Sequence, residues 1–234
     1  MDTGEMIEVG SADVLRELVG PVMPRAAAKV RSKLHPLAQD WLHRSPFCLI
    51  STSASDGTCD VSPKGDPPGF TLVLDDTTIA IPDRSGNRRM DGFLNLLGNP
   101  RIGLIFLVPG REDTLRINGR ATIVSQAPFF DRMVVAGNRP RLALVVEIEE
   151  VFFHCSKAFM RSRLWDQQTW EPDALPSRAR ITYQVDRGEE TLEELEQHYG
   201  PDYARGLYPT TSAGLTTSAL PETDALPADG GAPG

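Results

Sequence analysis

Three arginines lie close together at the predicted start of a helix. They are Arg84, Arg88 and Arg89, with only Asp83 and Asp91 as nearby acids. The first turn of a helix carries partial positive charge and normally attracts Asp or Glu. Three cations at that place repel one another unless an anion lies among them, and phosphate suits both amide and guanidinium donors. The stretch therefore predicts a phosphate-binding turn, with a solvated basic turn as the alternative.

The helix after this turn is expected to begin near Asn87 and to end at Gly98, where Gly, Asn and Pro in succession form a stop signal. Its apolar residues recur at the spacing of one helical face, which predicts a stripe turned toward the core. The residues of that stripe are Met90, Phe93, Leu94 and Leu97. A core-packed helix of this kind would hold the basic turn in place.

Composition limits the function classes that the chain can serve. Its 234 residues, 40% of them apolar, suffice for one sizeable core or at most two small ones. The net charge of −8 argues against general nucleic-acid binding. No window approaches the roughly 20 apolar residues of a membrane helix, and the acidic N terminus lacks the regions of a signal peptide. We therefore expect a cytoplasmic protein that binds neither nucleic acid nor membrane.

Cysteine usage predicts neither a disulfide framework nor a metal site. Cys48, Cys59 and Cys155 are odd in number and widely spaced. His35 and His43 are interpreted as surface or capping residues. We expect no metal ion in this protein.

Three parts of the chain differ in pattern. Residues 1–45 predict a helical extension, with helix starts at Ser11 and Pro24. Residues 46–200 predict the main domain. Residues 201–234 predict a disordered tail, because small residues, prolines and acids dominate from Tyr208 onward.

The main domain is predicted to be mostly β. Turn signals separate six or seven short extended runs, which is typical of a barrel or sandwich. The expected strands cover residues 47–52, 58–62, 70–74, 78–81, 102–108, 114–124 and 141–153. Pro63–Gly69 is expected to be a loop, and Gly119 indicates a bend or the close approach of a ligand. Helices are expected over residues 156–164 and 189–199, and residues 179–185 fit a strand or a linker.

Four segments together resemble one known family. They are CDVSPKGDPPGF, then IPDRSGNRRMDGFLNLLGNPRIGLIFLVPG, TLRINGRA and FFHCSKAFMRSRLWD. The stretch from about Pro46 to Trp170 is similar to the pyridoxamine 5'-phosphate oxidase-like FMN-binding split-barrel family, and more narrowly to a branch of FMN-dependent proteins without an assigned substrate. The resemblance implies a mainly β fold with flanking helices around a six-stranded antiparallel split β-barrel. It also implies a homodimer with FMN bound at the subunit interface.

The resemblance assigns a set of FMN-binding residues. The strand that runs along the flavin ring in the family, and the lysine that ends it, correspond to Asp60, Val61, Ser62 and Lys64. The next hairpin strand and its turn, which hold the ring edge, ribityl chain and phosphate, correspond to Ile81, Pro82, Asp83, Arg84, Asn87 and Arg88. Arg89 is either a second phosphate ligand or a solvent-facing residue.

Later residues complete the expected site. Arg116 and Asn118 share one face of a strand, which places them either in solvent or near the flavin edge and the partner subunit. Lys157 and Arg161 share one helix face. With Trp165 they resemble the C-terminal segment that closes over the flavin of the second subunit, and a surface helix with a packed Trp is the alternative.

The expected activity is FMN-dependent oxidation or reduction of a small organic molecule by hydride transfer through the flavin. Pyridoxamine 5'-phosphate oxidase activity itself is not expected. Cys59 stands where the vitamin-making branch has an arginine, and the tail ADGGAPG lacks that branch's phosphate-binding arginine motif. No catalytic residue is assigned, and His154 and Cys155 are not given that role. The alternatives are a relative that uses a deazaflavin or haem on the same barrel, and a non-catalytic flavin-binding or sensor module.

Overall fold

One antiparallel sheet forms the centre of the molecule. The computed structural model describes residues 6–186 and 188–208, so most of the expected tail lies outside the described residues. The sheet is built from β1 (Phe47–Ser53), β2 (Cys59–Gly65), β3 (Leu72–Val73), β4 (Thr78–Pro82), β5 (Arg101–Leu107), β6 (Thr114–Val124) and β7 (Ala143–His154). Each pair of neighbouring strands is antiparallel, and the order across the sheet is β2-β1-β5-β6-β7-β4-β3.

The mainly β prediction is confirmed, but the six strands expected for the split β-barrel are not what the described residues form. The described residues form seven strands in an open sheet, with β2 and β3 as its two edges. Pro63 belongs to β2 rather than to a loop. An edge strand tolerates a proline because one side of its backbone needs no hydrogen-bond partner from the sheet.

Seven α-helices flank the sheet in the described residues. They are α1 (Ala12–Val19), α2 (Pro24–Ala27), α3 (Pro36–Arg44), α4 (Asp91–Gly98), α5 (Lys157–Ser162), α6 (Arg178–Val185) and α7 (Leu192–His198). The residues expected to be a strand or linker, 179–185, form α6 and pack against α7. The capping role expected for His35 is confirmed, because its Nδ1 accepts a hydrogen bond from Leu37 N at 3.2 Å. None of the helices in the described part of the chain has both the length and the apolar character needed to span a bilayer.

The core lies between the sheet and two of these helices. Alternate residues of β1 and β5 point into it, as the period of a half-buried strand requires. From α3, Trp41 and Leu42 are buried, and Trp41 Nε1 also donates to Phe106 O at 3.3 Å. From α4, Phe93 and Leu96 are buried in the same cluster. The last part of the expected N-terminal extension therefore shares the core of the sheet.

The helix that follows the basic turn differs from its prediction. It begins at Asp91 rather than near Asn87. Met90 has a left-handed backbone (φ 59°), and a right-handed helix cannot continue through a residue in that conformation. Its buried residues are Phe93 and Leu96, whereas Leu94 and Leu97 are exposed. Four of its eight residues are large and apolar, so the sequence spacing did not distinguish one face from its neighbour.

Candidate functional site

The two ends of the open sheet meet through side chains. Lys64, near the end of edge strand β2, places its Nζ 2.7 Å from Asp83 Oδ1, in the residue directly after β4. Both side chains are mostly buried, at 22% and 18% exposure, and Lys64 Nζ also lies 5.2 Å from the centre of the Phe93 ring. The strands β2 and β4 are not hydrogen-bonded to each other. The ion pair therefore bridges the gap between the two ends of the sheet, where a closed barrel would have backbone hydrogen bonds between strands.

A second ion pair bridges the same gap at greater depth. Arg84 Nε lies 2.5 Å from Asp66 Oδ2, and the Asp66 side chain is almost completely buried. Arg84 also donates to Met133 O at 2.6 Å and to Asn138 O at 3.3 Å. Three of its five N–H groups are therefore used within the chain. Tyr208 O–H donates to the other Asp66 oxygen, and this hydrogen bond raises the pKa of the tyrosine.

The turn after β4 carries the remaining basic residues. Arg89 Nε pairs with Asp91 Oδ2 at 2.7 Å, and Asn87 Oδ1 accepts from Arg89 N at 3.1 Å. Arg88 is exposed, has no side-chain partner among the described residues, and has a left-handed backbone at φ 61°. The sequence predicted an anion among these three arginines, with a solvated basic turn as the alternative. Among the described residues, Arg84 and Arg89 have carboxylate partners and Arg88 has none.

The start of α4 faces a carboxylate from β2. A Cβ placed on Gly92 would lie 3.2 Å from Asp60 Oδ2 and 3.4 Å from Thr52 Oγ1. Thr52 Oγ1 in turn accepts a hydrogen bond from Asn95 Nδ2 at 3.1 Å. A carboxylate beside the first turn of a helix is stabilised by its partial positive charge. A larger residue at position 92 would require these side chains to move by a few tenths of an ångström.

Most of the expected cofactor residues from β2 and β4 surround this gap. Asp60, Ser62 and Lys64 are half-buried on the core side of β2, while Val61 lies on the opposite side and is exposed. Ile81 and Pro82 are buried at the end of β4. Asp66, the partner of Arg84, lies in the segment CDVSPKGDPPGF but was not predicted as a site residue, because no local pattern pairs it with an arginine 18 residues later.

Arg116 and Asn118 lie on the other face of the sheet. Asn118 Nδ2 donates to Glu150 Oε2 at 2.8 Å, and Arg116 Nε donates to Asn118 Oδ1 at 3.3 Å. The Arg116 guanidinium lies 5.4 Å from the centre of the Phe152 ring. Strand register places Asn118 in the same row across the sheet as Val61. That row faces away from the core, because Val61 is exposed. The sheet itself therefore separates these two residues from Lys64.

The expected closing segment lies further away. Trp165 Nε1 donates to Arg111 O at 2.8 Å and its ring stacks on Phe159, beside a surface cavity of about 750 Å³. Lys157 and Arg161 are exposed on α5. Phe153 lies near the start of α5, and strand register places it four strands away from Lys64. At 4.8 Å per strand, the path between them along the sheet is about 19 Å. Lys64 does not line the cavity beside Trp165, which is formed by residues of the same segment and of the turn at residues 110–113.

The fold and this bridged gap define an antiparallel β-sheet protein whose two sheet ends are joined by side chains. Residues 34–155, just over half of the chain, match the family model described as pyridoxamine 5'-phosphate oxidase. The chain belongs to this family.

Solved structures with a similar arrangement have low identity to this chain. A candidate pyridoxamine 5'-phosphate oxidase from Lactobacillus delbrueckii is 20% identical, over 53% of this chain and 98% of its own, with a TM-score of 0.42. HupZ from Group A Streptococcus is 16% identical, over 51% and 93%, with a TM-score of 0.42. An FMN-binding protein from Syntrophomonas wolfei is 14% identical, over 51% and 89%, with a TM-score of 0.39. No curated protein matches this chain.

Proposed function

We propose that this protein is an FMN-dependent oxidoreductase that acts on a small organic molecule and works as a homodimer with FMN at the subunit interface. Its family membership supports the flavin chemistry in general terms. Bound FMN would supply the hydride transfer itself. The residues of the chain would bind the phosphate, hold the ring and shape the pocket around it.

The single observation that carries this proposal is Arg88. It is the one arginine of the basic turn without a carboxylate partner in the described residues, and its left-handed backbone is unfavourable by about 1–2 kcal/mol for a residue other than glycine. Such conformations concentrate at ligand-binding sites, where the surrounding structure maintains them. A phosphate bound to Arg88 and to nearby backbone N–H groups would explain both features.

The other residues of the gap fit an FMN phosphate and ring edge. Lys64 supplies an ammonium group whose position is restricted by Asp83 and Phe93. Arg84 shapes the turn through Asp66, and Asp60 and Ser62 line the strand that would face the ring. Arg116, Lys157, Arg161 and Trp165 would complete the site only from a second copy, because they lie on another face or at another end of the sheet.

Comparison of FMN with riboflavin tests the phosphate site directly, since riboflavin has the same ring without the phosphate. We expect Arg88→Ala to weaken FMN binding by about 10- to 100-fold, which corresponds to the 1.5–3 kcal/mol of a charge-assisted hydrogen bond. Riboflavin binding should change little. Fluorescence titration of the full chain measures both affinities.

Two further variants make the test decisive. Lys64→Ala should also weaken FMN binding, whereas Arg101→Ala, an exposed arginine paired with Glu149 outside the gap, should leave it unchanged. Unaltered FMN affinity in both Arg88→Ala and Lys64→Ala would exclude the proposed site. The absorbance spectrum of the untreated protein, with mass spectrometry of the ligand released by heat, would distinguish FMN from a deazaflavin or a haem.

Reduction by a nicotinamide cofactor separates an enzyme from a binding module. The proposed oxidoreductase would show rapid bleaching of its flavin by NADH or NADPH, followed by reoxidation with an acceptor. A bound flavin that no donor reduces would support the non-catalytic alternative.

A further inference from the structure

The helix α1 is amphipathic, yet no other residue in the described part of the chain covers it. Val14, Leu15, Leu18 and Val19 form one apolar stripe, and their exposure ranges from 43% to 68%. All eight residues of the helix are exposed. Ser11 caps the helix by accepting from Val14 N, but isolated helices shorter than about 12–15 residues are marginal in water. The helix therefore needs a surface to pack against.

A groove of matching character lies beside the end of β7. It encloses about 630 Å³ between residues 23–38 and the strand end. Leu37, Leu115, Val151, Phe152 and Phe153 supply its apolar part. A backbone bridge between Arg31 and Val151 holds the two sides together, with Arg31 N donating to Val151 O at 3.1 Å. The groove thus has a fixed shape and an apolar lining.

The charges of the groove and of the helix segment are opposite. Arg25, Lys29, Arg31 and Lys33 surround the groove, and among the described residues only Lys33 has a carboxylate partner, Asp76. Residues 6–23 carry three acids, Glu8, Asp13 and Glu17, against the single Arg16. A net negative, amphipathic helix therefore complements a net positive, apolar groove.

We propose that α1 of one copy of this chain docks in the groove of a second copy, and that two copies exchange their helices reciprocally. Only Gly20, Pro21 and Val22 connect the helix to Met23, which itself lines the groove. The helix does not lie in the groove of its own chain, because none of its residues lines that groove and all eight are exposed. A second copy offers the identical groove as a docking site. This exchange does not depend on flavin binding.

Cross-linking to a native cysteine tests the exchange. Cys155 is exposed and lines the groove, while burial raises the pKa of the Cys48 thiol to about 12 and keeps it unreactive. In a Cys59→Ser background, Leu18→Cys places a thiol on the apolar stripe. Treatment with a short bis-maleimide at roughly 10 µM protein should give covalent dimers. An effective concentration on the order of 1 mM in the docked state makes this reaction about 100-fold faster than random collision.

Matched controls decide between the outcomes. Val19→Cys, also on the stripe, should cross-link like Leu18→Cys, and Asp13→Cys, on the opposite side of the helix, should not. Cross-links only within one chain, or equal rates at all three positions, would overturn the exchange. In the unmodified chain, amide hydrogen exchange in residues 15–19 should slow at high protein concentration and quicken on dilution. Unchanged exchange rates would also contradict the proposal, whatever the FMN affinity measured in the same samples.

Discussion

Two ion pairs hold the ends of the open sheet together, and they differ in burial. Arg84 and Asp66 are 17% and 1% exposed, and the guanidinium also satisfies two backbone carbonyls. Lys64 and Asp83 are nearer the surface. Removing one member of a buried pair leaves an uncompensated charge, which costs far more than the net contribution of the pair itself. The deeper pair is therefore the more sensitive one.

We expect Arg84→Met to destabilise the protein by about 3–5 kcal/mol, because Asp66 remains buried without its partner. The matched control is Lys33→Met, which removes an exposed lysine paired with Asp76 and should change the free energy of unfolding far less, because solvent screens exposed ion pairs. Urea denaturation without added flavin measures both changes. Similar small losses in the two variants would show that the Arg84–Asp66 pair does not hold the sheet ends.

At the scale of elements, a β-bulge shapes the sheet between β6 and β7. Asn118 pairs with Glu150 and Gly119 pairs with Ile148, so Glu149 is the additional residue. A Cβ on Gly119 would lie 2.0 Å from Glu147 O. For this glycine the sequence predicted either a bend or the close approach of a ligand, and the bend is confirmed. The group that lies close to Gly119 belongs to the backbone of the neighbouring strand. Bulges of this kind increase twist and bring distant strands toward each other.

Gly119→Ala should therefore destabilise the protein by about 1–3 kcal/mol, since the backbone of β7 must move to admit the methyl group. Gly103→Ala on β5 is the control, because its Cβ would meet nothing closer than 3.5 Å, and it should change stability by less than about 1 kcal/mol. Thermal and urea unfolding measure the difference. If the two variants are equally stable, the close approach at Gly119 does not constrain the sheet.

At the scale of the whole molecule, the expected cofactor residues fall into separate groups. Lys64 and the basic turn lie at the gap between the sheet ends, whereas Arg116 is on the outer face and α5 is about 19 Å away along the sheet. In the proposed function, a second copy of the chain would bring the separate groups into one site.

Flavin binding and dimer formation should therefore be linked. A ligand that binds only the dimer at 100 times its dissociation constant stabilises that state by about 2.7 kcal/mol per site. Sedimentation of a dilution series should show a larger dimer fraction with FMN and a smaller effect with riboflavin at the same concentration. FMN binding to a monomer, with an unchanged association constant, would contradict the interface site.

The strand pattern was largely predictable because it depends on local alternation and turn residues. The predicted range 114–124 coincides with β6, and the other six strands all begin and end within about three residues of their predicted limits. The family was also recognisable, because its motifs are local strings such as those around Lys64 and Arg88. Such signals are carried by neighbouring residues and need no knowledge of how the chain folds back.

The sequence by itself determined the mainly β architecture, the family and the basic turn. Only the tertiary structure decided that, among the described residues, Arg84 pairs with Asp66 while Arg88 has no carboxylate partner, since Asp66 lies 18 residues before Arg84 in the chain. It also decided which face of α4 is buried, because a helix with apolar residues on several sides takes its orientation from the sheet beneath it. Contacts between distant segments depend on how the strands pair and curve. The spacing of residues along the chain does not determine that pairing.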